Sequence, residues 1–555
     1  MDFNNILPAL IALAAVILFT AGLAFLTKRK NRKFLIELEQ GFGKVPNREF
    51  GLKLDSISTF WYEKKIYDSK ESDIDEITWN DLDMDKVYER VNNCCSSAGE
   101  EYLYAMLHEP EQNAEVLEKR EKIIGIIDED PSLRKSLQIL LSKVGKVDYN
   151  SVAGFCYDVS SKRLKNTILY PLLAFFPLLF IPLIFVNPPV GFVGLLLAIT
   201  LNGSIHYYVS IRITFELKAL KYFSAMLWGA KNISELLGSS NVPFVSDLEE
   251  AYDTFKKVGG KMSSTGQQKL SDFDSIIEYF QIVSLSSIRN YNKVIDLIEN
   301  HPQEFRKLFV GIGEIDSALS ILSFRKSLGV CCKPSFINEN MIETEDIYHP
   351  LIKEPVCNTV SIPKYNLISG SNASGKSTFI KAIAINAIMA QTINTCTAKS
   401  FSLRFSHVLT SMAIKDDVTS GDSYFIAEIK SLKRIIDAVN NHNCICIIDE
   451  ILRGTNTIER IAASTSVLQH IATIDCLCIV ATHDIELTTL LDGIFQNHHF
   501  SEKITDDGVV FDYTIRDGAT KTRNAITLLD YLDFDKEITT AANSMVMHFE
   551  ETKKW

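Results

Sequence analysis

The sequence predicts an α/β domain with a mostly parallel sheet, preceded by an α-helical region that carries three transmembrane helices. Three observations lead to this fold class. Long apolar runs lie in the first part of the chain, and a helical pattern with few glycines follows to about Leu328. Beyond Pro334, short apolar runs alternate with helices. The 555 residues leave room for about three domains.

The composition narrows the classes of function. A formal net charge of −12 excludes a uniformly basic nucleic-acid footprint, so any DNA contact would need a local cluster of Lys and Arg. The 11 cysteines include no pair of CxxC units, which argues against zinc. Cys444, Cys446, Cys476 and Cys478 alternate within apolar runs, so we expect reduced core thiols, as on a cytosolic face.

The first predicted transmembrane helix runs from Ile6 to Leu26, about twenty residues and enough to cross a hydrocarbon layer of ~30 Å. A basic cluster follows it directly, and the only charged residue before it is Asp2. The positive-inside rule therefore places the N-terminus outside. A cleaved signal peptide would carry its positive charge ahead of the apolar stretch, so we expect a retained anchor.

A second hydrophobic region predicts a transmembrane hairpin. Its arms run from Ile168 to Val186 and from Val190 to about Tyr208, and Asn-Pro-Pro between them is a turn that neither helix continues through. Basic residues before and after the hairpin place both of its ends in the cytoplasm. The alternatives are an apolar hairpin inside a soluble core and an interfacial hairpin.

Polar helical regions flank the hairpin. The first contains an acidic stretch from Asp73 to Asp85, which we expect to be a solvated surface segment. The second has apolar residues at three-to-four spacing from Leu308 to Leu322 and is interpreted as a lever that joins the membrane to the α/β domain. The predicted divisions are an anchor (1–33), a cytoplasmic helical region (34–165), the transmembrane hairpin (166–210), the helical lever (211–333), the α/β domain (334–535) and a C-terminal helix (536–555).

The α/β domain is organised around a glycine-rich loop that lies between an apolar strand and a helix, the context of a P-loop. Its two glycines let backbone N–H groups turn toward one point, where the helix N-terminus adds partial positive charge. Lys376 is suited to reach the β and γ phosphates of a nucleotide, and the Ser377 hydroxyl to ligate the bridging Mg²⁺. The predicted phosphate-binding residues are Gly370, Ser371, Asn372, Ala373, Ser374, Gly375, Lys376, Ser377 and Thr378.

Two later strands end in groups that fit this chemistry. One ends in Asp449, suited to hold Mg²⁺ directly or through water, and is followed by Glu450, suited to orient or deprotonate the attacking water. Another is followed by His483, suited to donate a hydrogen bond to the γ-phosphate or to align water. Taken singly, such residues also serve as helix caps or ion-pair partners. Together with the P-loop, they predict ATP and Mg²⁺ as cofactors and Glu450, His483 and Lys376 as catalytic residues.

The order of these motifs resembles the MutS family, the ATPases of DNA mismatch repair and their relatives, which share the ABC-type ATP-binding core. The resemblance is strong over about 340–530 and weaker over 80–125 and 313–324. The matching text comprises His349–Leu351, Asn358, Ser369–Thr378, Ala390–Gln391, Asp416–Asp417, Gly421–Glu428, Asp449–Asn456 and Ala481–His483.

The resemblance implies a homodimer with composite ATP sites. Ser423 would touch the nucleotide held by the partner subunit, and Glu428 would brace that segment. Gln391 is similar to the loop glutamine near the metal, and Asn456 lies in the stretch that contacts the opposite site. DNA is a further ligand that the resemblance implies.

The chain departs from the family pattern at Leu452, where glycine is usual, and at Glu459–Arg460, where Asp-Gly is usual. These departures leave the predicted phosphate and metal ligands intact. Only a membrane segment and a short polar stretch precede the helical core, which leaves no room for the family's N-terminal mismatch-reading domain. Mismatch recognition is therefore not expected.

We thus expect a membrane-anchored, dimeric, Mg²⁺-dependent ATPase, with the ATPase domain in the cytoplasm and ATP-driven closure moving the helical and membrane segments. One alternative is an ABC-type transport or membrane-remodelling ATPase, which the small number of spans and the lack of a Leu-Ser-Gly-Gly-Gln signature disfavour. The other is a nucleotide-switched scaffold that binds ATP without appreciable turnover.

Overall fold

The structure is a computed structural model that carries side chains. It describes residues 22, 26, 28–30, 32–46, 54–149, 152–164, 169–238, 242–262, 282–371, 374–412, 424–505, 508–520, 526, 529 and 534–552. Nearly all of the predicted N-terminal anchor lies outside these residues. Three predicted site residues, Asn372, Ala373 and Ser423, lie outside them as well.

The chain divides into two compact units. The first takes its described residues from 1–67, 91–103 and 122–327, and the second from 68–90, 104–121 and 328–555. The second unit therefore includes two segments, 68–90 and 104–121, from the predicted cytoplasmic helical region 34–165.

Helices dominate the chain before residue 330, in agreement with the predicted helical core. Residues 32–41 are helical, and short 3₁₀ turns lie at Ser160–Lys162 and Phe176–Leu179. The α-helices are α1 (Leu54–Ile57), α2 (Thr59–Asp68), α3 (Glu76–Asp81), α4 (Met84–Val91), α5 (Ser97–His108), α6 (Ala114–Glu129), α7 (Pro131–Val144), α8 (Val152–Tyr157), α9 (Leu169–Phe175), α10 (Phe180–Val186), α11 (Pro188–Arg212), α12 (Thr214–Leu237), α13 (Val245–Met262), α14 (Ser286–Asn300) and α15 (Pro302–Lys326).

The predicted hairpin is present as two apolar helical arms. Among the described residues, Leu169–Val186 and Pro188–Arg212 are long and apolar enough to cross a membrane. The arms pack closely, because a Cβ added to Gly194 would lie 2.2 Å from the Phe180 ring and one added to Gly191 would lie 2.5 Å from the Ile184 nitrogen. Small residues at these two positions let the helices approach each other.

Proline explains the break in the first arm, and an asparagine compensates for it. Pro177 has no N–H to donate to the carbonyl of Leu173 four residues earlier, and a 3₁₀ turn replaces the α-helix there. The buried Asn202 side chain donates to that Leu173 carbonyl at 2.8 Å and to the Val283 carbonyl at 2.8 Å. A polar group from the second arm thus satisfies a backbone group that proline leaves open.

Helix α15 is the central helix of the first unit, and from Phe305 to Phe324 most of its side chains are buried. It carries Asp316, which is fully buried and accepts hydrogen bonds from the Cys95 and Ser96 N–H groups and from the Ser96 hydroxyl. Burial raises the pKa of Asp316 to about 6, although these donors oppose the rise. The carboxylate joins α15 to the start of α5, where Gly99 leaves it space.

The second unit contains the predicted mostly parallel sheet. Its order is β10-β9-β4-β8-β7-β6, with only the β9–β10 pair antiparallel. A smaller sheet has the order β1-β5-β2-β3. The strands are β1 (Ser335–Phe336), β2 (Ile342–Ile347), β3 (Asn358–Ile362), β4 (Tyr365–Ser369), β5 (Ser400–Leu403), β6 (His407–Ser411), β7 (Cys444–Asp449), β8 (Leu477–Thr482), β9 (Gln496–Thr505) and β10 (Gly508–Asp517), and the helices are α16 (Lys376–Ile393), α17 (Tyr424–Val439), α18 (Thr457–Ile471), α19 (Ile485–Leu490) and α20 (Lys536–Thr552).

Part of the acidic stretch covers an edge of this sheet, so the expectation of a solvated segment was wrong for α3. The edge strand β6 donates its Thr410 N–H to the Thr78 hydroxyl at 3.2 Å, and the Met412 N–H donates to Asp81 at 3.0 Å. Arg434 pairs with Asp75 at the start of the same helix. These polar groups occupy backbone donors that an uncovered edge strand leaves unpaired.

Candidate functional site

The glycine-rich loop lies at the carboxyl end of β4, in the middle of the large sheet. Ser369 at the end of β4 is in register with Thr482 at the end of β8 and with His499 on β9. Gly370 then adopts φ +141°, and a Cβ there would lie 2.7 Å from the Phe500 carbonyl oxygen. Only glycine fits this turn against the neighbouring strand.

Gly375 closes the loop and begins α16. Its φ of +100° lies in the left-handed region, and a Cβ there would lie 3.0 Å from the Tyr513 ring. Tyr513 is half exposed, and the Asn358 side chain holds its strand by accepting from the Ile515 N–H and donating to the Tyr513 carbonyl. Sequence reasoning missed Tyr513, because its proximity to the loop follows from strand pairing between distant segments.

Lys376 points back across the loop. Its Nζ donates to the carbonyl oxygens of Gly370 at 2.6 Å and of Ser371 at 2.7 Å, and it lies 3.5 Å from His483 Nδ1. The residue is only 2% exposed. Burial lowers the pKa of Lys376 to about 8, although the nearby carboxylates of Glu450 and Asp449 oppose the drop. The ammonium group therefore faces a compact loop in which a phosphate would replace carbonyl partners.

Asp449 ends β7 beside the loop, as the sequence predicted. The residue is 6% exposed, and its Oδ1 is buried without a hydrogen-bond partner among the described residues. A buried carboxylate oxygen without a donor is unusual, and it suits a hard cation such as Mg²⁺. Ser377, predicted from the sequence to supply a second oxygen, is exposed in the first turn of α16. The described residues hold no group of three acidic, His or Cys side chains suited to a metal.

Glu450 follows Asp449 and is held at both carboxylate oxygens. Oε1 lies 2.6 Å from His483 Nε2, and Oε2 pairs with the Arg453 guanidinium. Burial would raise the pKa of Glu450, but the His483 hydrogen bond and the charges of His483, Arg453 and Lys376 outweigh it and lower the pKa. Glu450 is thus ionised near neutral pH and stands between two cationic or hydrogen-bonding partners.

The turn after Glu450 explains one departure from the family pattern. Glu450 and Leu452 both have positive φ, at +58° and +59°, in the region that favours glycine. The Leu452 side chain is buried in a hydrophobic cluster with Leu432 and Ile451. Burial of the Leu452 side chain in this cluster therefore stabilises a turn that glycine would adopt with less backbone strain.

The remaining predicted residues contact the turn after Glu450, cap α18, or lie in the loop and the first turn of α16. Glu428 accepts from the Arg453 N–H at 3.0 Å, so it braces the turn after Glu450. Asn456 caps α18 by accepting from the Glu459 N–H, and its side chain is exposed. Ser371 and Ser374 lie in the loop, with the Ser374 hydroxyl donating to the Ser371 carbonyl, and Thr378 is exposed in the first turn of α16.

Gln391 is not brought to the cluster. It lies fifteen residues after Lys376 in α16, which is about 22 Å at 1.5 Å per residue. Its side chain is fully buried, donating to the Ala387 carbonyl at 3.0 Å and accepting from the Ser406 N–H at 2.7 Å. In this structure the side chain packs the end of the helix that is far from Lys376, so the assignment of Gln391 to the loop near the metal is corrected.

Comparisons with known proteins match part of the chain to one protein family. Residues 366–550 match the family model described as MutS domain V. The chain is 26% identical over 308 residues to the DNA mismatch repair protein MSH3 of Saccharomyces cerevisiae, covering 52% of this chain and 30% of that protein.

Two further relatives match more locally. The DNA mismatch repair protein MutS of Pseudothermotoga lettingae is 31% identical over 202 residues, 34% of this chain and 25% of that protein. The MutS protein homolog 4 of Mus musculus is 30% identical over 250 residues, 42% and 26% respectively. The chain thus spans between a quarter and a third of the length of each of these three relatives.

Proposed function

Because residues 366–550 form a MutS domain V, the chain belongs to the MutS family, and on that premise we propose that it binds and hydrolyses Mg·ATP at the glycine-rich loop. One observation carries this proposal. Lys376, Asp449 and the Glu450–His483 pair converge at the carboxyl ends of three neighbouring parallel strands. In open α/β sheets, ligands bind at this edge.

Each residue has a defined task in this proposal. Lys376 exchanges its bonds to two loop carbonyls for bonds to phosphate, and the N–H groups of the turn donate to the same anion. Asp449 and Ser377 would hold Mg²⁺, which when bound neutralises charge on the phosphates. Glu450 accepts the proton of an attacking water and His483 steadies the carboxylate. Each carboxylate oxygen carries two lone pairs, so Glu450 can accept this proton while His483 and Arg453 stay in contact with it.

ATP turnover by the wild-type chain and by Glu450→Gln tests the proposal. Glutamine keeps the shape of the side chain but accepts no proton at neutral pH, so turnover should fall by about 10²- to 10⁴-fold while ATP binding is retained. Absence of turnover in the wild type, with ATP still bound, would instead establish the nucleotide-switched scaffold. Equal turnover in both proteins would remove Glu450 from the chemistry.

We propose further that two copies share composite sites, as the family resemblance implies. Ile458 is 83% exposed two residues after Asn456, in the first turn of α18, and a second copy would cover such an isolated apolar side chain. Sedimentation of Glu450→Gln with Mg·ATP should show a dimer, which Ile458→Asp weakens. Ser423→Ala should slow turnover without weakening ATP binding by the monomer. A monomer at every nucleotide concentration would contradict the composite site.

Membrane anchoring is proposed from the exposure of the hairpin. Only 6% of the apolar window in its first arm and 17% in its second are buried, whereas the core helix of a soluble protein would be mostly buried. Phe185 and Val186 are more than 80% exposed. A lipid bilayer would cover this surface, with the ATPase domain in the cytoplasm and the N-terminus outside.

Photolabelling in vesicles examines this arrangement. A membrane-soluble carbene reagent should label peptides from Leu169–Arg212, while peptides from α18 serve as the unlabelled control. Purified full-length chain that stays soluble without detergent, or labelling no higher in the hairpin than in α18, would contradict anchoring.

DNA is proposed as a ligand without preference for mismatches. Two of the relatives are DNA mismatch repair proteins by name, and the chain covers a minor part of each. Binding of matched and mismatched duplexes at physiological salt should be equal. Clear discrimination in favour of the mismatch would refute this point, and no binding to either duplex would remove DNA as a ligand.

A further inference from the structure

A bidentate ion pair lies immediately beside His483. Arg460, in the first turn of α18, donates from Nε to one Asp484 oxygen at 2.9 Å and from Nη2 to the other at 2.7 Å. Both side chains are mostly buried, at 23% and 15% exposure. Paired contacts of this kind fix direction as well as distance. Arg460 is also one of the positions at which the chain departs from the family pattern.

The Asp484 side chain pairs with Arg460 and does not cap the helix that follows it. It occupies the N-cap of α19, where an Asp side chain ordinarily accepts from the second or third N–H of the helix. Here the side chain makes no capping hydrogen bond. Its backbone is held separately, because its N–H donates to the Thr482 hydroxyl at 3.0 Å and its carbonyl accepts from the Leu487 N–H at 3.1 Å. The carboxylate is therefore committed to Arg460.

The geometry of this junction sets the position of His483. His483 lies between Thr482, the last residue of β8, and Asp484, the N-cap residue of α19. Its ring lies 2.6 Å from Glu450 and 3.5 Å from the Lys376 ammonium. Because Asp484 is bonded directly to His483, a small rotation of the chain at Asp484 would move the ring relative to Glu450.

The Arg460–Asp484 ion pair also holds the Arg460 guanidinium away from the Glu450 carboxylate, the proposed catalytic base. Glu450 lies close enough to raise the pKa of Arg460, behind the larger effect of Asp484. Glu450 already pairs with Arg453. If Asp484 were neutral, the released Arg460 guanidinium would compete for the same carboxylate and hinder it as a base.

We propose that Arg460 is a positioning residue for ATP hydrolysis, acting through Asp484 to hold His483 against Glu450. This inference rests on the proposed ATPase activity. Arg460 touches neither nucleotide nor metal in this account. Its loss should therefore slow the chemical step while leaving nucleotide binding in place.

Single-turnover hydrolysis and equilibrium ATP binding are measured for the wild type, Arg460→Ala, and the swapped variant Arg460→Asp with Asp484→Arg. The matched control is Arg404→Ala, which removes an arginine paired with Asp475 at the opposite end of β8. Arg460→Ala should hydrolyse ATP about tenfold more slowly, with affinity within twofold of wild type, and Arg404→Ala should match wild type. The swap should recover most of the rate.

Three results would overturn the inference while leaving ATP hydrolysis by the wild type intact. The first is a hydrolysis rate for Arg460→Ala equal to that of Arg404→Ala, and the second is a loss of ATP affinity and melting temperature in Arg460→Ala in proportion to its loss of rate. The third is a swapped variant that hydrolyses ATP as slowly as Arg460→Ala. If the swapped chain does not fold, Arg460→Lys decides instead. An intermediate rate supports positioning, and a rate equal to Arg460→Ala refutes it. Wild-type chain without turnover would instead refute the proposed ATPase itself.

Discussion

The pH dependence of ATP affinity follows from the position of Lys376. Its ammonium group is buried under the loop, and this burial lowers the pKa of Lys376 to about 8. A phosphate beside the ammonium favours the charged form, so the pKa of Lys376 should rise in the complex. ATP binding is therefore linked to proton uptake, and affinity should fall as pH rises through 8.

The magnitude follows from the protonated fraction of the free protein. With a pKa near 8, this fraction falls from about nine tenths at pH 7 to about one tenth at pH 9. ATP affinity should thus decrease about tenfold across this window, equivalent to about 1.4 kcal/mol. Burial opposes ionisation of Glu450, but the His483 hydrogen bond lowers its pKa, so this carboxylate stays ionised throughout. Excess Mg²⁺ keeps the ATP phosphates in one ionisation state.

Isothermal titration calorimetry at pH 7, 8 and 9, repeated in buffers of different ionisation enthalpy, measures both affinity and proton uptake. Lys376→Arg is the control, because guanidinium stays charged over this range and should give a flat profile. Wild-type affinity that is constant between pH 7 and 9 would refute the reasoning. So would a parallel fall in Lys376→Arg, since another group would then be titrating.

Three further predictions concern single residues. Gly375→Ala should weaken ATP binding by at least tenfold in a binding titration, because the backbone there has φ +100° and a Cβ would contact Tyr513. The control is Gly493→Ala, at φ +76° in open space, which should lower stability without changing ATP affinity. Equal ATP affinity in the two variants would contradict this prediction. Asp316→Ala should lower unfolding free energy by about 3 kcal/mol, since it strands buried N–H donors, and a change below about 1 kcal/mol in denaturant titration would argue against it. Asn202→Leu should destabilise the detergent-solubilised chain by about 1 to 2 kcal/mol by opening the Leu173 carbonyl, and an unchanged melting curve would show that the contact is unimportant.

Local sequence patterns predicted which residues lie together at the carboxyl ends of the central strands. The loop glycines, Lys376 and the strand-end acids are adjacent in sequence to apolar runs, and parallel pairing then brings the strand ends together. The prediction of a mostly parallel sheet holds for the six-stranded sheet, because buried central strands carry continuous apolar runs. In the smaller sheet, β2 pairs with β3 and with β5 in antiparallel orientation.

Residues whose role depends on distant pairing could not be read from the sequence. Tyr513 lies beside the loop because β10 pairs with β9, the strand next to β4. The acidic helix α3 covers β6 through hydrogen bonds between residues more than 300 positions apart in the sequence. Gln391 was assigned by resemblance alone, and it lies fifteen residues after Lys376 along α16. Arg460 was noted only as a departure, since its partner Asp484 lies on another helix.

Equilibrium binding of ATP in the presence of Mg²⁺ tests the central claim most directly, with wild-type chain compared with Lys376→Ala at pH 7. The account predicts saturable binding by the wild type and a loss of at least a hundredfold in affinity for the variant, because a buried cation facing the phosphates is removed. Equal affinity in the two proteins, with both folded, would contradict the assignment of the glycine-rich loop as the nucleotide site.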